Sequence, residues 1–561
     1  MGSGNLSPHC RQRFTRGITR TSRETTSRVI GPLASTIIIA VLATPLVAQD
    51  ASSAPVAPAA PTAPATTTPT ADEPRRPAME LTLDDAIRLA LSHNIDLQLQ
   101  RLTEERARRD RRVADAAFDP LFRTSYTLAR FRQPSVSFLD FGSTSSTISV
   151  NAVASDNWSM GVSGILETGT QYSVTAGGSR SDNPDSSIFS LNPRYSSSFE
   201  LQVTQPLLRG FGDDSVLADV RIATRNAEIS RLELRRRVED TLVAVVNAYW
   251  DLLFARKDLE VKEQALVEAN ELLEINQRKL QVGNGTEFDV IDAEANIETQ
   301  RAGIIDSRNT RDNAQDSLLD LINSPNYRRG GVENPLFLDV QIVPVTEPDL
   351  EDLRISLEDS VDTALNHRLE IQQQVLGIQN AEDTYQRAAD DALPRFDLTG
   401  SWTNSGLEGD FSGSWDELSS GTYYDWSVGV VFEIPIGNRA ARERRAQARL
   451  DRTSARLEHE RTINAVVLGV TQAVRDVRSA QQRVQTTRAA TRLRTEQLDG
   501  EKRRLSVGLS TSYQVLQVQN DLLEAQTAEV ESVVFLLKAV TAYRRQLGDV
   551  LETFGIEVDA P

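Results

Sequence analysis

The chain has 561 residues, of which 39% are hydrophobic and 25% are charged, so it can bury apolar surface and is long enough for several lobes or one elongated assembly. Its formal net charge of −18 argues against a nucleic-acid-binding protein, which needs a basic face to contact phosphates. The single cysteine, Cys10, excludes disulfide frameworks, cysteine zinc sites and iron–sulfur clusters.

The N-terminal segment has the pattern of an export signal followed by a tether. Six arginines and one acid lie in the first 28 residues, and an apolar stretch follows. This pattern predicts a secretory signal peptide over residues 1–48. A membrane-anchoring helix is the alternative, and Pro32 and Pro45 within the apolar stretch disfavour it. Residues 49–79 are rich in Pro, Ala and Thr and predict a flexible linker.

The rest of the chain is a tandem duplication. The segment LTLDDAIRLALSHNIDLQ at 81–98 recurs as ISLEDSVDTALNHRLEIQ at 355–372. Further on, LQVGNGTEFDVID at 280–292 recurs as LSVGLSTSYQVLQ at 505–517. Because the segments recur in the same order, we predict two half-repeats with the same succession of elements.

Each half-repeat, 80–340 and 341–553, is predicted to open with a capped helix. Thr82 and its counterpart Ser356 are each followed by acids and by apolar residues at helical spacing. A hydroxyl side chain at this position accepts a hydrogen bond from the first turn, and carboxylates there suit the helix dipole.

Segments that alternate between apolar and polar residues follow each opening helix. They predict β-strands within 118–206 and 394–435, between loops rich in Ser, Gly and Asn. Alternation with aromatic residues near the strand ends is typical of a membrane β-barrel, and an ordinary sheet with one solvated face is the alternative.

The first half-repeat has more sequence in its strand region than the second. Eighty-five residues separate Pro120 from Pro206, against 40 between Pro394 and Pro435. The surplus, within residues 133–196, includes an apparent hairpin and represents either additional strands or long extracellular loops.

Beyond the strands, apolar residues recur at alternating spacings of three and four, which is typical of coiled-coil packing. We therefore predict long antiparallel helical hairpins over 215–324 and 440–551. Each turns at a Val-Gly pair, 282–283 and 507–508, where glycine permits left-handed backbone. The narrow, Ala-rich apolar stripes are typical of helices that form the wall of a hollow cylinder. The predicted sheet has open edges, so several copies of the chain are needed to close it into a barrel.

Together these residues resemble the TolC-like outer-membrane efflux protein family. The matching pieces are the two helix openings, the strand exits QPLLRG and EIPIGN, and the paired turns VGNGT and VGLST. The resemblance implies an α+β membrane protein, a homotrimer whose 12-stranded β-barrel in the outer membrane continues into a 12-helix α-barrel in the periplasm. It also implies the channel of a tripartite efflux or type I secretion system, with a periplasmic adaptor (membrane fusion) protein and, through it, an inner-membrane transporter as partners.

The resemblance places functional residues at the hairpin tips. The residues implied to contact the adaptor are Val282, Gly283, Thr286, Val507, Gly508, Leu509, Ser510 and Thr511. Exposed Val and Leu beside Gly independently favour a contact surface, and a purely structural helical turn is the alternative.

The resemblance also implies a ring of side chains at the periplasmic entrance. The family has aspartates six and nine residues after the second-repeat glycine, where this chain has Gln514 and Gln517. The first repeat has Asp289 and Asp292 at the equivalent positions. Three copies of each acid would attract cations, and a solvated helix face is the alternative.

The sequence contains no nucleophile elbow, no H-E-x-x-H pair and no phosphate-binding lysine loop. We therefore predict a protein that is not an enzyme, without catalytic, cofactor-binding or metal-binding residues, which conducts substrates passively. The alternative function is a non-conducting envelope spacer or adhesin with coiled-coil rods and a β-sheet anchor.

Overall fold

The computed structural model describes residues 78–135, 149–183, 190–325, 328–329, 336–337, 341–348 and 354–556. The predicted signal peptide (1–48) and the linker up to residue 77 lie outside the described residues. Ala78 and Met79, predicted to be linker, instead belong to strand β1, Ala78–Leu81. This strand pairs in parallel with β8, Gln341–Pro344. The linker prediction is wrong at these two residues because a partner so distant in the sequence leaves no local pattern.

The first half of the described chain runs from a helical pair through four long strands to a helical hairpin. Its helices are α1 Leu83–His93, α2 Ile95–Asp115, α3 Asp213–Val216, α4 Ala218–Gln281 and α5 Glu287–Ile322. Its long strands are β2 Leu121–Ser135, β3 Ser149–Ile165, β4 Gln171–Asp182 and β5 Arg194–Pro206.

The second half repeats this plan with two long strands. A short antiparallel pair, β6 Arg328–Arg329 and β7 Leu336–Phe337, precedes β8. The helices that follow are α6 Leu357–His367, α7 Leu369–Asp390, α8 Phe411–Ser420, α9 Arg439–Ser506, α10 Ser512–Leu547 and α11 Val550–Thr553. Its long strands are β9 Arg395–Glu408 and β10 Tyr423–Glu433.

The predicted helix caps are confirmed in both halves. The Thr82 hydroxyl accepts a hydrogen bond from the backbone N–H of Asp85 at 3.1 Å. The Ser356 hydroxyl accepts one from the N–H of Asp359 at 3.4 Å. Each cap fixes the start of an opening helix, α1 or α6, and so the direction in which the chain enters the helical layer.

The six long strands form one antiparallel sheet in the order β10-β9-β5-β4-β3-β2. One register row crosses all six strands and is apolar throughout: Phe122, Val162, Val174, Leu201, Trp402 and Trp426. The adjacent row is small, polar or charged: Arg123, Gly161, Thr175, Glu200, Thr403 and Asp425. The first row defines the apolar face of the sheet and the second its polar face.

The segment within residues 133–196 that was left open as strands or loops contains two additional strands. The β3–β4 hairpin is hydrogen-bonded into the sheet between β2 and β5. Twelve strands from three chains require four strands per chain, whereas the described residues supply six. The sheet of one chain therefore has two strands more than the four that the predicted 12-stranded barrel of a homotrimer requires.

Helix α8 packs on the apolar face at the end of the sheet far from the long helices. Trp415 of α8 stacks on Trp158 of β3 with ring centroids 5.5 Å apart, and Leu418 is buried. Beyond the apolar rows on this face, Asp156 pairs with Arg130 at 2.7 Å and with Arg180 at 3.6 Å. The apolar face therefore ends in a charged border.

The long helices pack side by side. Helix α4 contacts α5 and α10, and α10 contacts α9, while nearer the sheet α2 packs on α4 and α7 packs on α9. The long helices share a buried stripe at an offset of 225 residues: Val245, Tyr249, Leu252, Ala255 and Leu259 in α4 match Val470, Val474, Val477, Ala480 and Val484 in α9. Among the described residues, we find no helix with the length and apolar character needed to span a membrane.

Candidate functional site

The two turns at the ends of the long hairpins have the same backbone geometry. Gly283 has a φ of +80° and Gly508 a φ of +79°. The N–H groups after each glycine reach back to the ending helix, Asn284 to Lys279 O at 2.9 Å and Leu509 to Arg504 O at 2.8 Å. A glycine in left-handed conformation with this bond is the usual way to close a helix end. The geometry accounts for the glycine at this position in both repeats.

The returning helices begin with reciprocal caps. The Thr286 hydroxyl accepts from the N–H of Asp289 at 3.2 Å, and the Asp289 carboxylate accepts from the N–H of Thr286 at 3.0 Å. The Thr511 hydroxyl accepts from the N–H of Gln514, and Gln514 Oε1 accepts from the N–H of Thr511, both at 3.3 Å. Two residues predicted to contact the adaptor and two predicted to line the entrance are therefore engaged in capping boxes.

Ser510 is also held within the second tip. Its hydroxyl donates to Gln514 Oε1 at 3.0 Å and contacts the Glu501 carboxylate. Gly283 and Gly508 have open space where a Cβ would lie. The backbone at both glycines is therefore accessible from outside the chain.

The two tips pack against each other through a residue that the sequence analysis missed. Asn276 in α4 is only 2% exposed, donates from Nδ2 to Asp289 O at 2.9 Å and accepts from the Ser512 hydroxyl at 2.6 Å. A small apolar cluster lies beside it: Leu272, Leu498, Leu505, Val515, Val518 and Leu522. The repeat could not reveal Asn276, because Glu501 occupies the equivalent position.

The outer surface of the paired tips is apolar. Val282 and Leu509 are each 71% exposed, and Val507 is 68% exposed. Phe288 and Tyr513, which the sequence analysis missed, are 70% and 64% exposed. They are repeat mates at the same offset of 225, and that coincidence of aromatic residues was the signal that could have identified them. Exposed apolar groups clustered at one end of a chain mark a contact surface.

Asp292 and Gln517 lie one helical turn beyond the caps, on α5 and α10. Asp292 is half-buried and Gln517 is exposed. Of the four residues predicted to line the entrance, these two lie outside the capping boxes. Within the described residues, no group of three or more His, Cys, Asp or Glu side chains is placed to hold a metal ion.

A second polar cluster joins the two halves in the middle of the helical layer. Arg545 of α10 contacts Glu239 at 3.3 Å, Asp240 at 2.8 Å and Glu370 at 3.3 Å. Burial raises the pKa of Glu239 to about 7, although Arg545 acts against it. Burial also acts to raise the pKa of Glu370, but Arg368 and Arg545 outweigh it and lower that pKa overall. The cluster therefore holds two carboxyl groups whose pKa values are moved in opposite directions.

Comparison with known proteins gives a consistent result. The family model described as "Outer membrane efflux protein" matches residues 171–324 and 360–548, more than half of the chain. The alkaline protease secretion protein AprF of Pseudomonas aeruginosa is 26% identical over 279 residues, which cover 48% of this chain and 53% of AprF. The outer membrane efflux protein BepC of Brucella suis is 25% identical over 336 residues, 59% of this chain and 68% of BepC. The match with AprF thus spans about half the length of that relative.

Solved structures share the fold. The CmeC outer membrane channel of Campylobacter jejuni superimposes with a TM-score of 0.59 at 17% identity, covering 85% of this chain and 87% of CmeC. At that identity the likeness concerns the fold alone, which combines helical and sheet parts as in TolC-like channels.

Proposed function

This chain belongs to the outer membrane efflux protein family, as its resemblance predicted, and from that premise we propose that it forms the outer-membrane channel of a tripartite efflux or type I secretion system. Its location is the outer membrane, with the helical part in the periplasm. Residues 1–48 act as the export signal, and the linker that follows connects it to the first half-repeat.

The observation that carries the proposal is the sheet with one apolar face and two free edges. No other strand among the described residues pairs with the outer edges of β2 and β10. An apolar face and open edges are unstable in water but stable in a closed ring in lipid. A homotrimer closes that ring, and its helical layers continue as a periplasmic tunnel of twelve helices.

The surface that binds the adaptor lies at the hairpin tips. The exposed residues Val282, Val507, Leu509, Phe288 and Tyr513 form the docking surface for the hairpin of a periplasmic adaptor. The adaptor connects the channel to an inner-membrane transporter, which supplies the energy, so the channel itself conducts passively. In cells, Leu509→Asn is expected to impair export while the conductance of the purified channel stays unchanged, because the substitution removes an apolar contact at the tip and adds no charge near the entrance.

Single-channel recording in planar lipid tests the channel itself. We expect discrete conductance steps, and larger or more frequent openings for Asn276→Ala, which breaks the contact between the two tips. Ser317→Ala on α5 is the matched control, since that hydroxyl bonds only within its own helix. A stable oligomer that never conducts, even with Asn276→Ala, would favour the non-conducting spacer.

A further inference from the structure

The inserted β3–β4 hairpin carries the largest departure of this sheet from a four-stranded unit. It pairs with β2 from Leu121↔Ser163 to Ser135↔Ser149, and with β5 from Gln171↔Thr204 to Ser181↔Arg194. Removing it from the sheet would leave the inner edges of both neighbours without partners. The hairpin is therefore part of the sheet and not a loop lying over it.

The side chains of the hairpin alternate in phase with the other four strands. Val162 and Val174 continue the apolar row, and Thr175 continues the polar row. Hydroxyl pairs follow the polar face across the sheet: Ser125–Ser159 at 2.8 Å, Ser179–Ser196 at 2.7 Å and Ser401–Ser427 at 2.8 Å. A surface loop has no reason to keep this alternation, whereas a strand between lipid and water requires it.

The turn of the hairpin is fixed against the chain that follows β5. Gly169 has a φ of +86°, and a Cβ there would lie 2.2 Å from the carbonyl oxygen of Gly210. The neighbouring Thr170 hydroxyl donates to the Gln205 side chain. The near end of the hairpin is thus held at the junction between sheet and helices, at the level of the other strand ends.

The strand directions permit closure by identical copies. Strand β2 follows α2 and runs away from the helices, whereas β10 returns toward α9. When β2 of one copy meets β10 of the next, the pair is antiparallel, as is every other pair in the sheet. Both outer strands expose apolar side chains, including Tyr126 and Val428, where such a ring faces lipid.

We propose that three copies join β2 to β10 in an eighteen-stranded barrel whose wall includes all three β3–β4 hairpins. This inference rests on the proposed trimeric channel. Because barrel diameter grows with strand number, the mouth is about one and a half times as wide as that of a twelve-stranded barrel. The inserted hairpin adds strands to the barrel but no helix to the tunnel, so the tunnel keeps its width. The tunnel therefore limits the size of the cargo, and the barrel is a wider vestibule beyond it.

Cysteine labelling tests whether the hairpin is in the wall. The only cysteine, Cys10, lies in the predicted signal peptide, so the exported chain offers a cysteine-free background. In lipid vesicles, Val174→Cys is expected to react with a lipid-soluble reagent and Thr175→Cys with a water-soluble maleimide. Leu201→Cys and Glu200→Cys on β5 are matched controls in the same two rows. Water-exposed labelling at both β4 positions, with alternation kept on β5, would overturn the eighteen-stranded barrel and leave the channel function intact.

Polymer exclusion measures the width. Polyethylene glycols added to the extracellular side are expected to enter the full-length channel at about 1.5-fold larger hydrodynamic radius than in a variant lacking residues 149–182. That deletion connects β2 to β5 as an antiparallel hairpin. Equal cut-offs would overturn the proposal, and if the deletion variant does not assemble, the labelling result decides. Absence of both trimer and conductance in the full-length protein would instead overturn the channel function.

Discussion

The two half-repeats share their turns, their helix caps and the order of their helices, and they differ in strand number and in the charge of equivalent side chains. Gly283 and Gly508 share a left-handed conformation, and the hairpins end at Asn323 and Gly548, both with positive φ. By contrast, the first half contributes four long strands to the sheet and the second only two. Positions where the backbone conformation restricts the residue type have persisted, whereas strand number and side-chain charge have been free to change.

The sharpest contrast in packing is at one pair of repeat mates, Tyr249 and Val474. Tyr249 is 0% exposed, and its hydroxyl donates to Leu81 O at 3.1 Å and accepts from the N–H of Thr346 at 3.0 Å. It therefore ties α4 to β1 and to the segment after β8. Val474 is equally buried but only packs between helices.

Replacing each of these two residues by alanine should give the largest difference in stability between equivalent positions of the two halves. We expect Tyr249→Ala to lower the free energy of unfolding by about 3–5 kcal/mol, since it removes a buried ring. Val474→Ala should cost about 2 kcal/mol, the transfer free energy of two buried carbons. Tyr249→Phe, which keeps the ring, should fall between them in denaturant unfolding followed by circular dichroism. Equal losses for the two alanine variants would contradict the comparison.

The second contrast is electrostatic and concerns Glu239, whose repeat mate is the exposed Asn464. Because burial raises the pKa of Glu239 from 4.5 to about 7, the folded protein binds a proton that the unfolded chain has lost between these values. The free energy of unfolding should therefore fall as the pH rises through this window, by at most about 3 kcal/mol. Glu370 affects stability in a different pH range. Because its pKa is lowered in the folded protein, its contribution to the free energy of unfolding is lost only as the pH falls below the range of an unperturbed glutamate.

Thermal unfolding at pH 5 and pH 7.5 measures this effect. Glu239→Gln should flatten the dependence, since glutamine does not titrate and keeps a similar volume. Asn464→Glu is the matched control and should leave the dependence unchanged because its side chain is exposed. An unchanged pH profile in Glu239→Gln would show that another group carries the effect.

Features fixed by local sequence could be predicted, and features that depend on contacts between distant segments could not. The turns and caps were predictable because a Val-Gly pair followed by Thr specifies its backbone conformation locally. The alternation of apolar and polar residues in β3 and β4 was visible in the sequence. It did not decide between additional strands and long loops, because periodicity alone does not show which strand a segment pairs with.

Interactions between distant segments had no comparable signal. The β1–β8 pair, the bridge formed by Asn276 and the cluster around Arg545 each join parts of the chain with no shared local pattern. Asp289 illustrates the same limit. Its position in the repeat suggested a pore-lining acid, while its carboxylate is bound to the cap of its own helix.

The two caps offer a smaller test. We expect Thr286→Ala and Thr511→Ala each to cost about 1 kcal/mol, seen as faster hydrogen exchange in the first turn of α5 or α10. Asp289→Ala should cost about 0.5 kcal/mol more than Gln514→Ala, because only the carboxylate also interacts with the helix dipole. The difference should shrink in 1 M salt, which screens that interaction. A difference that is independent of salt would assign it to hydrogen bonding alone.

The smallest expected effect separates the two acids of the first tip. In a trimer, Asp292 supplies three negative charges near the entrance, so Asp292→Asn should lower the preference for cations and shift the reversal potential in a KCl gradient. Gln517→Asp should shift it the opposite way, since it adds three charges at the repeat-equivalent position. Asp289→Asn should change the reversal potential less than Asp292→Asn, because the Asp289 carboxylate lies against the backbone N–H of Thr286, which offsets part of its field. A larger shift of the reversal potential for Asp289→Asn than for Asp292→Asn would contradict this explanation. It would show that the capping geometry does not distinguish the two acids and that the entrance is narrowest at the cap.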